Sequence, residues 1–213
     1  MKKLTLLLCS ILLLSIHYSI AQTSIGIGGG ANFSNVNIKD NWAELDPKTA
    51  TYFYFGITPR FELNEQFAIL ADLEFSAKGF KTDNVMMFIG SQPVTAKSRI
   101  SYLVVSPELE YRLHKNIGVA LGGFFGLKTN EEQKFGDQDW ISTSEFDTIK
   151  EVDYGLEGSI RVNVSSFFIK LAYSYGLRGV GDLIVTDEIG VPMGQLRLRT
   201  RTLQLGAGYL LSL

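Results

Sequence analysis

The stretch Val152-Asp153-Tyr154-Gly155-Leu156-Glu157-Gly158-Ser159-Ile160-Arg161-Val162-Asn163-Val164-Ser165-Ser166-Phe167-Phe168-Ile169-Lys170-Leu171-Ala172-Tyr173-Ser174-Tyr175 decides the fold. Val152, Tyr154, Leu156, Ile160 and Val162 share one parity, while Asp153, Glu157, Ser159, Arg161 and Asn163 share the other. After the polar pair Ser165-Ser166 the alternation resumes, with Phe167, Ile169, Leu171, Tyr173 and Tyr175 opposed to Lys170, Ala172 and Ser174. Successive side chains of a strand point to opposite faces, so a period of two with charges on one parity reads as a hairpin with one apolar and one polar face.

Outward from this hairpin the pattern recurs until the chain holds eight such segments. The apolar parity carries Ile25, Ile27 and Phe33 in the first, Phe53, Phe55, Ile57, Phe61 and Leu63 in the second, and Phe67, Ile69, Leu73 and Phe75 in the third. Leu103, Val105, Leu109, Tyr111 and Leu113 mark the fourth, Ile117, Val119, Leu121, Phe125 and Leu127 the fifth, and Leu203, Leu205, Tyr209 and Leu211 the last. The other parity holds the charges together with glycines and small residues.

The connections alternate strictly. Asn64-Glu65-Gln66, His114-Lys115-Asn116 and Ser165-Ser166 are tight polar turns, whereas those near residues 38–50, 79–98, 129–148 and 179–196 are long. Short turns on one side and long loops on the other are the signature of an outer-membrane barrel, with the even strand number placing both termini on the periplasmic side. The predicted fold is all-β, an eight-stranded antiparallel up-and-down transmembrane β-barrel. Apolar side chains face lipid, and the charged parity, with its glycines, fills a narrow interior.

Composition fits this picture. The chain has 213 residues, 46% of them hydrophobic and 20% charged, a size suited to one domain. A formal charge of -2 speaks against a nucleic-acid partner. Lys2-Lys3, the apolar run from Leu4 to Leu14 and Ser19-Ile20-Ala21 form a secretory signal peptide over residues 1–21, leaving 22–213 as the barrel domain. Cleavage removes Cys9, the only cysteine, so the exported chain has no disulfide. Leu8 before Cys9 argues against a lipoprotein signal.

The glycine-rich first strand Ile25-Gly26-Ile27-Gly28-Gly29-Gly30-Ala31-Asn32-Phe33-Ser34, the segment from Ile100 to Tyr111 and the closing strand Leu205-Gly206-Ala207-Gly208-Tyr209-Leu210-Leu211-Ser212-Leu213 resemble the outer-membrane β-barrel domain proteins of the Bacteroidetes type, called "porin family" proteins. The resemblance implies a barrel in a Gram-negative cell envelope, with the outer-membrane assembly machinery as a partner. Such proteins usually end in an aromatic residue. This one ends in Leu213, with Tyr209 as the nearest aromatic alternative.

The candidate sites follow from parity. Arg60, Glu62, Asp72, Glu74, Glu108, Glu110, Arg112, Glu157, Arg161 and Lys170 are expected to form a lumen ion network, to which the same parity adds Lys78, Glu151, Asp153 and Arg178. Eight strands leave room only for side chains, so a wide pore is not expected, although a narrow channel for ions or small solutes stays open. Arg197, Arg199 and Arg201 share the outward parity of Leu203 and are either a contact for lipid A phosphates or a solvated hairpin extension. Two aromatic girdles are expected, Tyr52, Phe53, Tyr54, Phe55, Tyr154, Tyr173 and Tyr175 toward the long loops, and Phe61, Phe67, Tyr111, Phe167 and Tyr209 toward the short turns. Pro59 and Pro107 are expected to mark bulges or bends.

No catalytic, metal or cofactor site is expected. After signal removal the only histidine is His114, in a turn, which removes a Ser-His hydrolase acting on the extracellular side. Glu131, Glu132, Asp137, Asp139, Glu145 and Asp147 lack calcium-loop spacing and read as solvated loop. Trp42 and Trp140 suit either partner binding or covering the barrel mouth. The expected role is non-catalytic: membrane integrity or surface binding through four extracellular loops, by a monomer in contact with outer-membrane lipid and lipopolysaccharide and with a loop ligand the residues do not name. A soluble exported barrel binding an apolar ligand is the remaining alternative.

Overall fold

A computed structural model of the protein describes residues 23–39, 46–85, 92–143, 149–186 and 192–212. Residues 1–21, expected to be a signal peptide, and Trp42 lie outside them. The strands are β1 (Thr23–Lys39), β2 (Lys48–Glu62), β3 (Phe67–Val85), β4 (Val94–His114), β5 (Ile117–Phe135), β6 (Ile141–Ser142), β7 (Val152–Val164), β8 (Phe167–Gly176), β9 (Gly181–Thr186) and β10 (Pro192–Ser212). Eight of them form the ring β1-β2-β3-β4-β5-β7-β8-β10, and β10 closes it by pairing antiparallel with β1 from Ser24↔Ser212 to Lys39↔Arg197. Closure satisfies backbone groups that an open edge would leave bare in hydrocarbon.

The two short strands explain what the long connections are. β6 adds to β5 beyond the end of β7, and β9 adds to β10 beyond the end of β8. With β3 running to Val85 and β4 starting at Val94, most of the span 79–98 is paired strand rather than loop. A membrane strand needs only about 9–11 residues, whereas β4 has 21. The surplus projects beyond the apolar band, where no lipid enforces alternation, so backbone pairing persists after the sequence pattern fades.

Within the band the parity rule holds. Leu103, Val105, Leu109, Leu121, Leu156, Phe167, Ile169 and Leu205 are exposed on the outer face, while Asp72, Glu74, Glu108, Glu110, Arg161 and Lys170 are buried inside. At the short-turn end, Phe67 packs on Tyr111 with ring centroids 5.2 Å apart and Phe167 on Tyr209 at 5.3 Å.

Two expectations are corrected. Tyr52 and Tyr54 do not join the outer girdle: they are 8% and 6% exposed and point into the lumen. Their parity is that of Thr58 and Arg60, and position in the strand, not aromatic character, decides the face. Neither Pro59 nor Pro107 shifts the register. Ile57 faces Leu73 and Arg60 faces Leu70 across the first, and Val105 faces Phe125 and Glu108 faces Gly122 across the second. A proline lacks one donor, so one edge loses one bond while the other edge stays paired, as Ile25↔Pro59 and Ala71↔Pro107 do. Irregularities fall elsewhere, among them those between Thr49 and Tyr54 against β3 and between Ser101 and Tyr102 against β5.

Candidate functional site

The lumen is assembled from inward side chains that the ring brings together from distant strands. Lys170 on β8 contacts Asp72, lies 3.2 Å from Glu74 Oε1 on β3 and lies 3.4 Å from Glu157 Oε1 on β7. Arg161 reaches Asp72 at 3.5 Å, the Thr58 hydroxyl donates to the same carboxylate, and Gln204 Nε2 donates to Glu74 at 3.1 Å. Toward the short turns, Arg60 Nη2 meets Glu110 at 2.6 Å and Glu62 at 3.4 Å, and Arg112 also pairs with Glu62. Glu108 accepts from Ser159 at 2.8 Å. Nine of the ten residues expected in the lumen network pair in two groups centred on Lys170 and Arg60, while Glu108 is buried in the lumen but bonds to Ser159 rather than to a cation.

Other positions depart from expectation. Lys78 and Asp153 are inside, 3.9 Å apart, but Glu151 is exposed. Glu131 is not solvated loop; it is fully buried on β5 beside Lys128 at 3.2 Å. A bulge at Thr129 reverses the parity beyond it and turns Glu131 inward, a backbone event that side-chain spacing does not reveal. Glu132 pairs outside the wall with Arg99 at 2.7 Å, and Trp140 stacks on that guanidinium at 4.3 Å. Glu145 and Asp147 lie outside the described residues.

Sequence parity missed the apolar part of the lumen. Val36, Ile100, Tyr102, Val104, Phe124, Ile149, Val180 and Leu198 form one buried cluster on the long-loop side of the ion network. Val36 and Leu198 come from β1 and β10, whereas Ile100, Tyr102, Val104 and Phe124 come from β4 and β5 on the opposite wall, so the cluster spans the lumen. Lys78 Nζ sits 4.1 Å from the Phe124 ring and joins the two layers. The available signal was unbroken hydrophobicity: Leu103-Val104-Val105 and Phe124-Phe125 are apolar on both parities.

The glycines of the closing strand β10 have a related cause. A Cβ on Gly206 would collide with the Tyr54 hydroxyl, and one on Gly208 would lie 2.5 Å from the Phe168 ring. Tyr54 from β2 and Phe168 from β8 thus lie across the β1–β10 seam, which only glycine leaves low enough. Arg161 covers Phe168 at 4.7 Å.

Arg197, Arg199 and Arg201 alternate with buried Leu198, Thr200 and Thr202 and therefore face outward. Arg201 lies over the Tyr175 ring at 5.8 Å and Arg199 hydrogen-bonds the Tyr175 hydroxyl. Across the seam they oppose Lys39, Asn37 and Asn35, and on β9 Arg197 opposes Asp182. At the tip of the wall, Lys48 donates to Asp83 at 2.6 Å and Thr95 donates to it at 2.9 Å. Those hydrogen bonds hold the Asp83 carboxyl below its ordinary 3.8, and the bond to Asp83 raises Lys48 above 10.5. Among the described residues no group of three or more His, Cys, Asp or Glu side chains is placed to hold a metal.

Residues 20–181 match the family described as outer membrane protein beta-barrel domain. No curated protein sequence matches. Among solved structures, the chain is similar to Ail, the attachment invasion locus protein of Yersinia pestis, at 17% identity and a TM-score of 0.46, covering 89% of this chain and 99% of that one. It is also similar to Neisserial surface protein A, at 10% identity, TM-score 0.45 and coverages of 87% and 96%. The outer membrane protein OprG from Pseudomonas aeruginosa matches at 12% identity, TM-score 0.42 and coverages of 90% and 96%.

Proposed function

Because the chain belongs to the outer membrane protein beta-barrel domain family, we propose that it serves the bacterial outer membrane as a non-catalytic barrel with a closed lumen, supporting membrane integrity or surface binding through its extracellular hairpins. Outer-membrane location sets aside the soluble exported barrel. The observation that carries the closed lumen is the apolar cluster joining opposite walls, with Tyr102 at 0% exposure. Ions leaving the lower network would have to cross a layer whose side chains are apolar apart from the Tyr102 hydroxyl, with the Lys78 ammonium against its Phe124 ring, at a cost of several kcal/mol. The proposed partners are outer-membrane lipid and lipopolysaccharide, met by Arg197, Arg199 and Arg201 through bidentate contacts to phosphate, and the assembly machinery that inserts the barrel.

The second reading, a narrow channel, has its own support. Arg161 Nε and Nη1, Glu108 Oε1 and Glu110 Oε2 are buried without a protein partner, and such atoms call for water. The lower lumen is therefore wet, and only the apolar layer separates it from the outside. Single-channel recording in planar bilayers decides between the two. The wild-type protein is expected to be silent, while Tyr102→Ala/Phe124→Ala, checked for folding by the mobility difference between unboiled and boiled samples, is expected to conduct. Reproducible wild-type conductance steps would overturn the closed lumen.

A further inference from the structure

The outer face of β2 to β5 carries a charge arrangement that the barrel itself does not need. Lys81 on β3 is directly opposite Lys97 on β4, and Lys97 is directly opposite Lys134 on β5. Lys81 and Lys97 share the outward parity of Phe75 and Leu103, and Lys134 that of Glu132, which meets Arg99 outside the wall. Directly opposed strand residues stand about 5 Å apart at Cβ, and like charges in that position are destabilising. Lys48 extends the row on β2 but is answered by Asp83. Among the described residues no carboxylate forms an ion pair with Lys81, Lys97 or Lys134. The row is a place for an anion with more than one oxygen.

Directly toward the membrane from this row the wall is hollowed. Pairing between β2 and β3 lapses from Thr49↔Phe80 to Tyr54↔Ser76, and the outer surface there holds a groove of about 500 Å³. Phe53, Phe55, Phe75 and Ala77 line it, with Arg99 and Trp140 at its rim. Phe53 and Phe55 are 75% and 64% exposed. The Arg99 charge is already met by Glu132, so the positive charge without an ion-pair partner belongs to the lysines, about 7 Å farther along β4 by strand rise, Lys81 being also close enough to Asp83 to help lower its carboxyl. Aromatic groove and cationic row therefore follow one another along the wall, apolar first and charged above.

We propose that this face binds a phosphorylated acyl lipid of the outer leaflet, its phosphate across Lys81, Lys97 and Lys134 and an acyl chain in the groove between Phe53, Phe55 and Phe75. The site rests on outer-membrane lipid being a partner, as proposed above, but uses residues separate from the arginine ladder and is indifferent to whether the lumen conducts. The test is native mass spectrometry of the full-length mature protein with diphosphoryl lipid A, compared with its fully deacylated headgroup. Lys81→Gln/Lys97→Gln/Lys134→Gln is expected to weaken lipid A retention at least about tenfold, the scale of lost charge-assisted hydrogen bonds. Ala77→Trp, which fills the groove, is expected to weaken the acylated ligand and leave the headgroup unaffected. Gel mobility confirms that each variant is folded. Unchanged retention by the lysine variant overturns the site, as does equal binding of lipid A and headgroup to the wild type. Loss confined to Arg197→Gln/Arg199→Gln/Arg201→Gln would also overturn it, while leaving the arginine contact standing.

Discussion

Lys170 is the residue on which the lower lumen turns, because among the described residues it is the one cation paired with all three of Asp72, Glu74 and Glu157. Breaking a buried ionic cluster by removing one partner typically costs about 3–5 kcal/mol, since the remaining charges stay buried without compensation. Lys170→Met is therefore expected to lower the urea midpoint of the detergent-refolded protein far more than Arg112→Met, whose partly exposed pair with Glu62 water can replace. Equal effects would mean that the Lys170 cluster is as solvated as the outer pair. At the rim, the lowered Asp83 carboxyl adds stability above its ordinary 3.8 and loses it as pH falls through the depressed value, while the raised Lys48 amine adds stability below 10.5 and loses it only above that. The tie between the tips of β2 and β3 should thus hold at neutral pH and open in acid, and amide hydrogen exchange near Asp83 that accelerates in wild type but stays pH-independent in Asp83→Asn, after correction for intrinsic exchange, would show it.

Elements differ in how much of the ring depends on them. Among the described residues β9 forms a ladder with β10 alone, apart from a single bridge between Gly181 and Ile149, and it meets only the part of β10 that lies beyond β8. Replacing residues 183–195 by a short turn is expected to leave the folded, heat-modifiable species intact, because ring closure between β1 and β10 runs down to Ser24↔Ser212 without it. Loss of that species would show that the extension nucleates closure. The prolines offer a subtler check. Since the register passes through Pro107 unchanged, Pro107→Ala should alter stability by less than about 1 kcal/mol, the scale of one exchanged backbone hydrogen bond.

For the whole molecule, eight strands closing on themselves put β1 and β10 opposite β4 and β5, and that circumference makes the lumen narrow enough for Leu198 to meet the far wall. Parity along single strands was enough to read the barrel, its topology, the face of each charge in the apolar band and the ten lumen residues, because lipid outside and packed side chains inside impose opposite polarities on alternate positions. It misplaced Tyr52 and Tyr54, which share the parity of Arg60 but carry aromatic rings, and Glu131, whose face depends on a bulge one strand cannot display. Tertiary structure alone decided which lumen groups meet, that an apolar layer joins the two walls, and that three lysines distant in sequence stand side by side. Those facts depend on register between strands and on ring closure, and both are set by pairing across the sheet rather than by the order of residues along any one strand.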